Sequence, residues 1–327
     1  MGAARQSISG SGLTPLAGDE PPPPFKPPAV VDTRMADYQR LLVATDGSDT
    51  ADLGVEQALE LAALLDLEVR AVSVVDAPPP TGPDSESGER ARARRTLTAV
   101  RTAGEDRDVT VDTGLLVGDP RREILEDANE RDADVVVMGT HGRTGVRRWV
   151  MGSVAAAVVR EAVCPVLTVN RRVPAAVTRF DDVLVATDGR PGADGAIDHA
   201  LEIADAVGAT VHALSVVDDV HSRIDVVLEA VEQAGRESMD AIAERAAERG
   251  LDADQTLERG IVHERIVEYA DEHDVDLVVL GTESRPPLER FVVGSVSQRV
   301  IGRSPVPVLT VRTPHPDASS PAVGHGS

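Results

Sequence analysis

Lysine is nearly missing from this chain: Lys26 is the only one in 327 residues, and it lies in a proline-rich stretch. A phosphate loop of the form G-x-x-x-x-G-K-[ST] therefore cannot be completed beside any strand, and no G-x-G-x-x-G follows one either. Cysteine is represented by Cys164 alone, which excludes an intrachain disulfide and any metal site built on several thiolates. Placed before Pro165 at a strand entrance, it reads as a small buried apolar residue. Positive charge is scarce, with 33 basic against 55 acidic residues and a formal net charge of -22. Nucleic acid and anionic membrane surfaces are polyanions that need a basic footprint, so both are set aside as partners. There is no run of 18 apolar residues, because charges such as Arg160 and Glu161 interrupt the longest ones, and the N-terminus lacks the apolar core of a signal peptide. A soluble, cytoplasmic protein is expected. The arginine-for-lysine bias and the acidic excess suit a halophilic, salt-rich cytoplasm, where screening tolerates such a surface.

What is present is a repeat. Residues 1–37, containing SGSG and PPPPFKPP, read as a disordered tail. From Gln39 onward a pattern begins that returns 142 residues later: LLVATDGS (41–48) as VLVATDGR (183–190), and CPVLTV (164–169) as VPVLTV (306–311). The constant offset predicts one backbone used twice, as domains at 38–170 and 181–312 joined by a linker at 171–180, with a second tail at 313–327. Within a copy, apolar β-branched runs alternate with helical patterns, the signature of a parallel sheet buried on both faces. Strands are expected near 40–45, 69–75, 109–116, 134–138 and 165–169, and helices near 51–65, 86–104, 120–131 and 152–161. The fold class is α/β: two tandem, doubly wound, five-stranded parallel sheets of Rossmann-like type. Ligands of such sheets sit beyond the carboxyl ends of the strands where the winding reverses, which selects the loops after the first and fourth strands.

Those loops carry the chemistry. Ala44-Thr45-Asp46-Gly47-Ser48 follows the first strand, and GTHGRTGVRRWVMGS (139–153) follows Val135-Val136-Val137-Met138. Gly139 and Gly142 let backbone amides come close to a ligand or adopt positive φ, and Gly152-Ser153-Val154 opens a helix whose free N–H groups favour an anion. Asp46, across the crevice, can accept hydrogen bonds from sugar hydroxyls. A nucleotide fits this set.

The spacing G-x-x-G, nine residues, G-[ST], after a strand of type V-V-V-M, resembles the motif of the universal stress protein family. V-A-T-D-G-S, S-V-V-D, Gly118-Asp119-Pro120 and C-P-V-L-T-V match it further, over about 270 residues and twice over. With the acidic composition, the resemblance is to tandem two-domain members of haloarchaea, with the adenine nucleotide alpha hydrolase-like fold and pseudo-two-fold related halves. It implies that Asp46 and Ala44 contact the nucleoside of a bound ATP, that backbone groups at Val74 read adenine, that Met138 and Gly139 line the ribose and α-phosphate, and that Gly142, Gly152, Ser153 and Val154 hold the phosphates. The matching second set is Ala186, Asp188, Val216, Leu280, Gly281, Ser284, Gly294, Ser295 and Val296. It also implies antiparallel pairing of the last strands, here within one chain as an intramolecular pseudo-dimer, with a homodimer of chains left open.

The second copy departs at Ser284, which replaces the second glycine and precedes Pro286-Pro287. If that position needs positive φ, serine costs about 1 kcal/mol, its Cβ narrows the phosphate channel, and the prolines lack amide donors. The first domain is therefore expected to be the main nucleotide site and the second a weaker one. His141 is read as a solvated group or a phosphate or metal contact, the Arg143, Arg147 and Arg148 cluster as neutralising phosphates or pairing with surface carboxylates, Trp149, which matches Phe291, as an apolar anchor rather than a ring stacked on adenine, and Asp76 and Asp218 as strand ends or water-mediated cation partners. No Ser-His-Asp, paired-carboxylate or metal-ligand set accompanies the crevice, so at most slow ATP hydrolysis is expected. The leading expectation is an ATP-binding protein of stress response or signalling, with ADP or AMP as other occupants, Mg2+ as a companion and a protein partner unidentified. The alternative is an ATP-independent adaptor on the same fold, and a weaker one a slow ATP hydrolase.

Overall fold

The computed structural model describes residues 38–76, 84–142, 151–220, 225–283 and 295–313. Both tails, the Arg143–Trp149 stretch and Ser284–Gly294 lie outside these residues. The first copy runs β1 (Arg40–Ala44), α1 (Asp49–Leu65), β2 (Glu68–Val75), α2 (Asp84–Glu105), β3 (Val111–Val117), α3 (Pro120–Glu130), β4 (Val135–Gly139), α4 (Ser153–Glu161) and β5 (Val166–Val169). The second runs β6 (Asp182–Thr187), α5 (Asp194–Val207), β7 (Thr210–Val217), α6 (Asp225–Glu248), β8 (Ala253–Arg259), α7 (Val262–Glu272), β9 (Leu277–Glu283), α8 (Ser295–Arg303) and β10 (Val308–Thr313).

Local chemistry sets the helix ends. Ser48 is the N-cap of α1 and accepts from the amide of Ala51, while Asp66 closes the helix in the left-handed region. Asp119 caps α3 and Pro120 occupies its first turn, where no amide partner is needed. The strand interiors are aliphatic on both faces because helices cover both sides: Leu41, Val43 and Val137 belong to one core, and Leu42, Val136 and Val166 to the other.

The ten strands form a single sheet in the order β3-β2-β1-β4-β5-β10-β9-β6-β7-β8. Each copy is parallel within itself, and β5 meets β10 antiparallel with Leu167 opposite Leu309. The Thr168 hydroxyl donates to the Val308 carbonyl and the Thr310 hydroxyl to the Val166 carbonyl, both at 3.1 Å, so residues 142 apart exchange equivalent bonds across the junction. The Asn170 amide donates to the Ile301 and Ser304 carbonyls at the end of α8. Two edges that would each template aggregation thereby satisfy one another. Among the described residues no helix is long and apolar enough to cross a membrane.

Cys164 is half-buried rather than fully buried, packed against the second core. Burial pushes its thiol up to about 11. Near pH 8 its thiolate should then be roughly 100-fold scarcer than in the unfolded chain. Alkylation by iodoacetamide should be correspondingly slow in buffer and rapid in urea; equal rates would mean that the thiol is open to water.

Candidate functional site

β1 and β4 lie side by side with Ala44 opposite Met138, and the chain turns away from both at the same end of the sheet. Past β1, the Ser48 amide donates to Asp46 Oδ1 at 3.0 Å and the Gly47 amide to Thr45 Oγ1 at 3.2 Å. Gly47 sits at φ 68°, and a Cβ there would lie 2.9 Å from Thr96 Oγ1, so this turn requires glycine. Past β4, the Thr140 amide donates to the Val169 carbonyl at 2.9 Å and the Gly152 amide returns to the Thr140 carbonyl at 2.7 Å. The hydroxyls of Ser48 and Thr50 both donate to the His141 carbonyl. The two loops are thus fastened to each other across the crevice.

Between them lies a cavity of about 360 Å³. Ala44 and Asp46 reach it from the end of β1, Val74 from β2, and Met138 and Gly139 from β4. Gly142, Gly152, Ser153 and Val154 complete the first expected set, and all of them line the same cavity. Gly152 is the N-cap of α4 at φ -60°, ψ 154° and, having no side chain, supplies no capping acceptor to the first amides of α4.

Of the two roles expected for Gly139 and Gly142, close backbone approach or positive φ, the structure does not use the second. Among the described residues, neither Gly139 nor Gly142 is among the glycines with positive φ. A Cβ on Gly142 would lie 2.7 Å from Asp46 Oδ2, so any larger residue here would displace the carboxylate. A Cβ on Gly139 would lie 2.5 Å from the Thr50 carbonyl oxygen, and one on Gly54 3.1 Å from the Gly139 amide. These two glycines let α1 press its first turns onto the end of β4. His141 is held through its carbonyl, and its Nδ1 lies 3.0 Å from Thr140 Oγ1.

Three cavity residues carry carboxylates: Asp46, Asp76 and Glu89, with no lysine or arginine among the described lining residues. Nearby, the Asp52 carboxyl is pushed up, first by burial and then by Asp49 and Asp46. Asp76 is thus a wall of the crevice as well as the end of its strand. Glu89 escaped sequence reasoning because it lies on a charged helix that reads as solvated; the one available hint is that its counterpart at offset 142 is Val231. Ser48 and Thr50 were also missed as loop anchors.

The second copy forms a cavity of about 330 Å³ at the matching place. Ala186, Asp188, Val216, Leu280, Gly281 and Val296 line it. Ser295 opens α8 but is not a lining residue, whereas Ser297, one position past Val296, is. Ser284 and Gly294 fall outside the described residues.

The sequence profile of the universal stress protein family matches residues 37–170 and 179–312. A universal stress protein of Methanocaldococcus jannaschii is 38% identical over 141 residues, covering 41% of this chain and 83% of its own length. One from Mycobacterium tuberculosis is 30% identical over 305 residues, covering 83% of this chain and 96% of the relative. Among solved structures, a universal stress protein from Archaeoglobus fulgidus superposes with a TM-score of 0.67 at 21% identity, covering 86% of this chain and 97% of that one, a likeness of fold.

Proposed function

The chain belongs to the universal stress protein family, and from that premise we propose that its first domain binds an adenine nucleotide, ATP foremost, as the occupant of a stress-response or signalling protein. The observation that supports this reading most is the convergence of Ala44, Asp46, Val74, Met138, Gly139, Gly142, Gly152, Ser153 and Val154 on one cavity beside the glycine-capped start of α4. Aliphatic walls suit a base, Asp46 suits sugar hydroxyls, and the amides of α4 suit phosphate. Because three carboxylates face the same space, ATP enters as its Mg2+ complex. Mg2+ carried with the phosphates would offset their repulsion by Asp46, Asp76 and Glu89. The acidic surface, with a formal charge of -22, makes molar KCl the natural working condition, as in haloarchaeal cytoplasm.

The test is purification in molar KCl, denaturation and chromatography of released nucleotide, followed by titration with MgATP. Gly142→Ser should weaken MgATP about tenfold, by crowding Asp46. No released nucleotide together with no measurable MgATP affinity overturns the reading.

A further inference from the structure

The two cavities can be compared position by position at the 142-residue offset. Ala44, Val74, Asp46, Asp76 and Ile124 correspond to Ala186, Val216, Asp188, Asp218 and Ile266, and all ten line their respective cavities. The half of the crevice suited to a base and a sugar is therefore built the same way twice.

The anion-facing half is not. Ser48, which caps α1 and ties down the His141 carbonyl, corresponds to Arg190, a lining residue of the second cavity. The turn itself is unchanged, since the Arg190 amide donates to Asp188 Oδ1 at 3.1 Å as the Ser48 amide does to Asp46. The Arg190 Nε lies 3.6 Å from Asp188 Oδ2, with the two side chains 62% and 56% exposed, so the guanidinium stands at the rim. Glu89 becomes Val231 and Pro120 becomes Val262, both aliphatic walls. Thr50, whose hydroxyl holds the loop in the first copy, becomes Gly192, which has none. The first cavity shows three carboxylates among its described lining residues; the second shows two, with one guanidinium.

We propose that the second cavity takes a purine nucleoside bearing a single phosphate, with Arg190 as the phosphate's partner, while the first takes the polyphosphate. The proposal rests on the nucleotide reading of the first domain. A guanidinium fork matches one phosphate group by two parallel hydrogen bonds. Arg190 is the one cationic side chain among the described lining residues of this cavity, so a second or third phosphate gains no further side-chain cation there.

The experiment titrates AMP, adenosine and MgATP into the full chain and into Asp46→Ala, which cripples the first cavity. AMP should still bind the Asp46→Ala chain, and more tightly than MgATP does. Adding Arg190→Ser should weaken AMP about tenfold or more while leaving adenosine unchanged, which also shows that the cavity is still folded. Val231→Glu should weaken AMP in the same background. AMP affinity within about twofold after Arg190→Ser, or MgATP binding as tight as AMP in the Asp46→Ala chain, overturns the proposal. If wild type binds MgATP, Asp46→Ala abolishes it and no AMP binds, the proposal falls and the first-domain reading stands. If no MgATP binds anywhere but AMP binding sensitive to Arg190→Ser remains, the reverse holds.

Discussion

Asp46→Ala will lower the affinity of the first domain for MgATP by about 10- to 100-fold, the range expected for losing one or two hydrogen bonds to a charged acceptor. Asp46 sits between the two loops: one oxygen receives the Ser48 amide at 3.0 Å, and the other faces Gly142 closely enough to leave no room for a Cβ. Alanine removes the sugar acceptor and loosens the turn that starts α1. Asp46→Asn separates these effects, because its carbonyl oxygen still accepts the Ser48 amide while the negative charge is gone. Calorimetric titration in molar KCl decides the sign. If Asp46 were aimed at phosphates, removing its charge would strengthen MgATP binding, and tighter binding by either variant would refute the sugar-facing role.

Arg70→Ala will destabilise the protein by about 3–5 kcal/mol, the usual result of leaving a buried carboxylate without its partner. Arg70, on β2, forks onto Asp127 of α3 with Nε–Oδ2 at 3.1 Å and Nη2–Oδ1 at 3.0 Å, and reaches Asp112 of β3 at 2.7 Å. Its side chain is 13% exposed and that of Asp127 8%. The guanidinium's pKa is raised, first by its hydrogen bond to Asp127. The damage comes from the stranded carboxylate rather than from the value of the ion pair. Arg70→Leu with Asp127→Leu should accordingly cost far less than Arg70→Ala alone. Urea denaturation followed by circular dichroism measures both; a single-variant cost below about 1 kcal/mol would mean that water already solvates the pair. The second domain solves the same place differently: His212 lies 2.8 Å from Asp182 through Nε2 and 3.0 Å from the Tyr269 hydroxyl through Nδ1.

Much of this molecule is written along the chain because it depends on local order. The aliphatic runs at 135–138 and 277–280 are strands buried on both faces. Ser48 and Asp119 start helices where their side chains can cap them. The loops that bound the cavities are also local, so the first set of lining residues follows from motif and winding alone.

Other features depend on which distant groups meet. Glu89 is a wall of the first cavity only because α2 packs over the end of β2, and a charge on a polar helix gives no sign of that. Thr50 becomes a loop anchor only once the start of α1 meets the His141 carbonyl. A Cβ at Gly142 would crowd Asp46, a contact between residues 96 positions apart, and of the two roles the sequence suggested for this glycine, close approach or positive φ, the second is not used.

By itself the sequence determined the repeated α/β topology and the pair of crevices, since the spacing of apolar residues and the 142-residue offset are properties of one chain read in order. The tertiary structure decided the register in which β5 and β10 join the two sheets into one, and that Glu89 walls the first crevice and Arg190 the second, so that the two differ in charge. The physical reason is that sheet edges and cavity walls are satisfied by whichever groups fold next to them, and that adjacency is set by packing rather than by position along the chain.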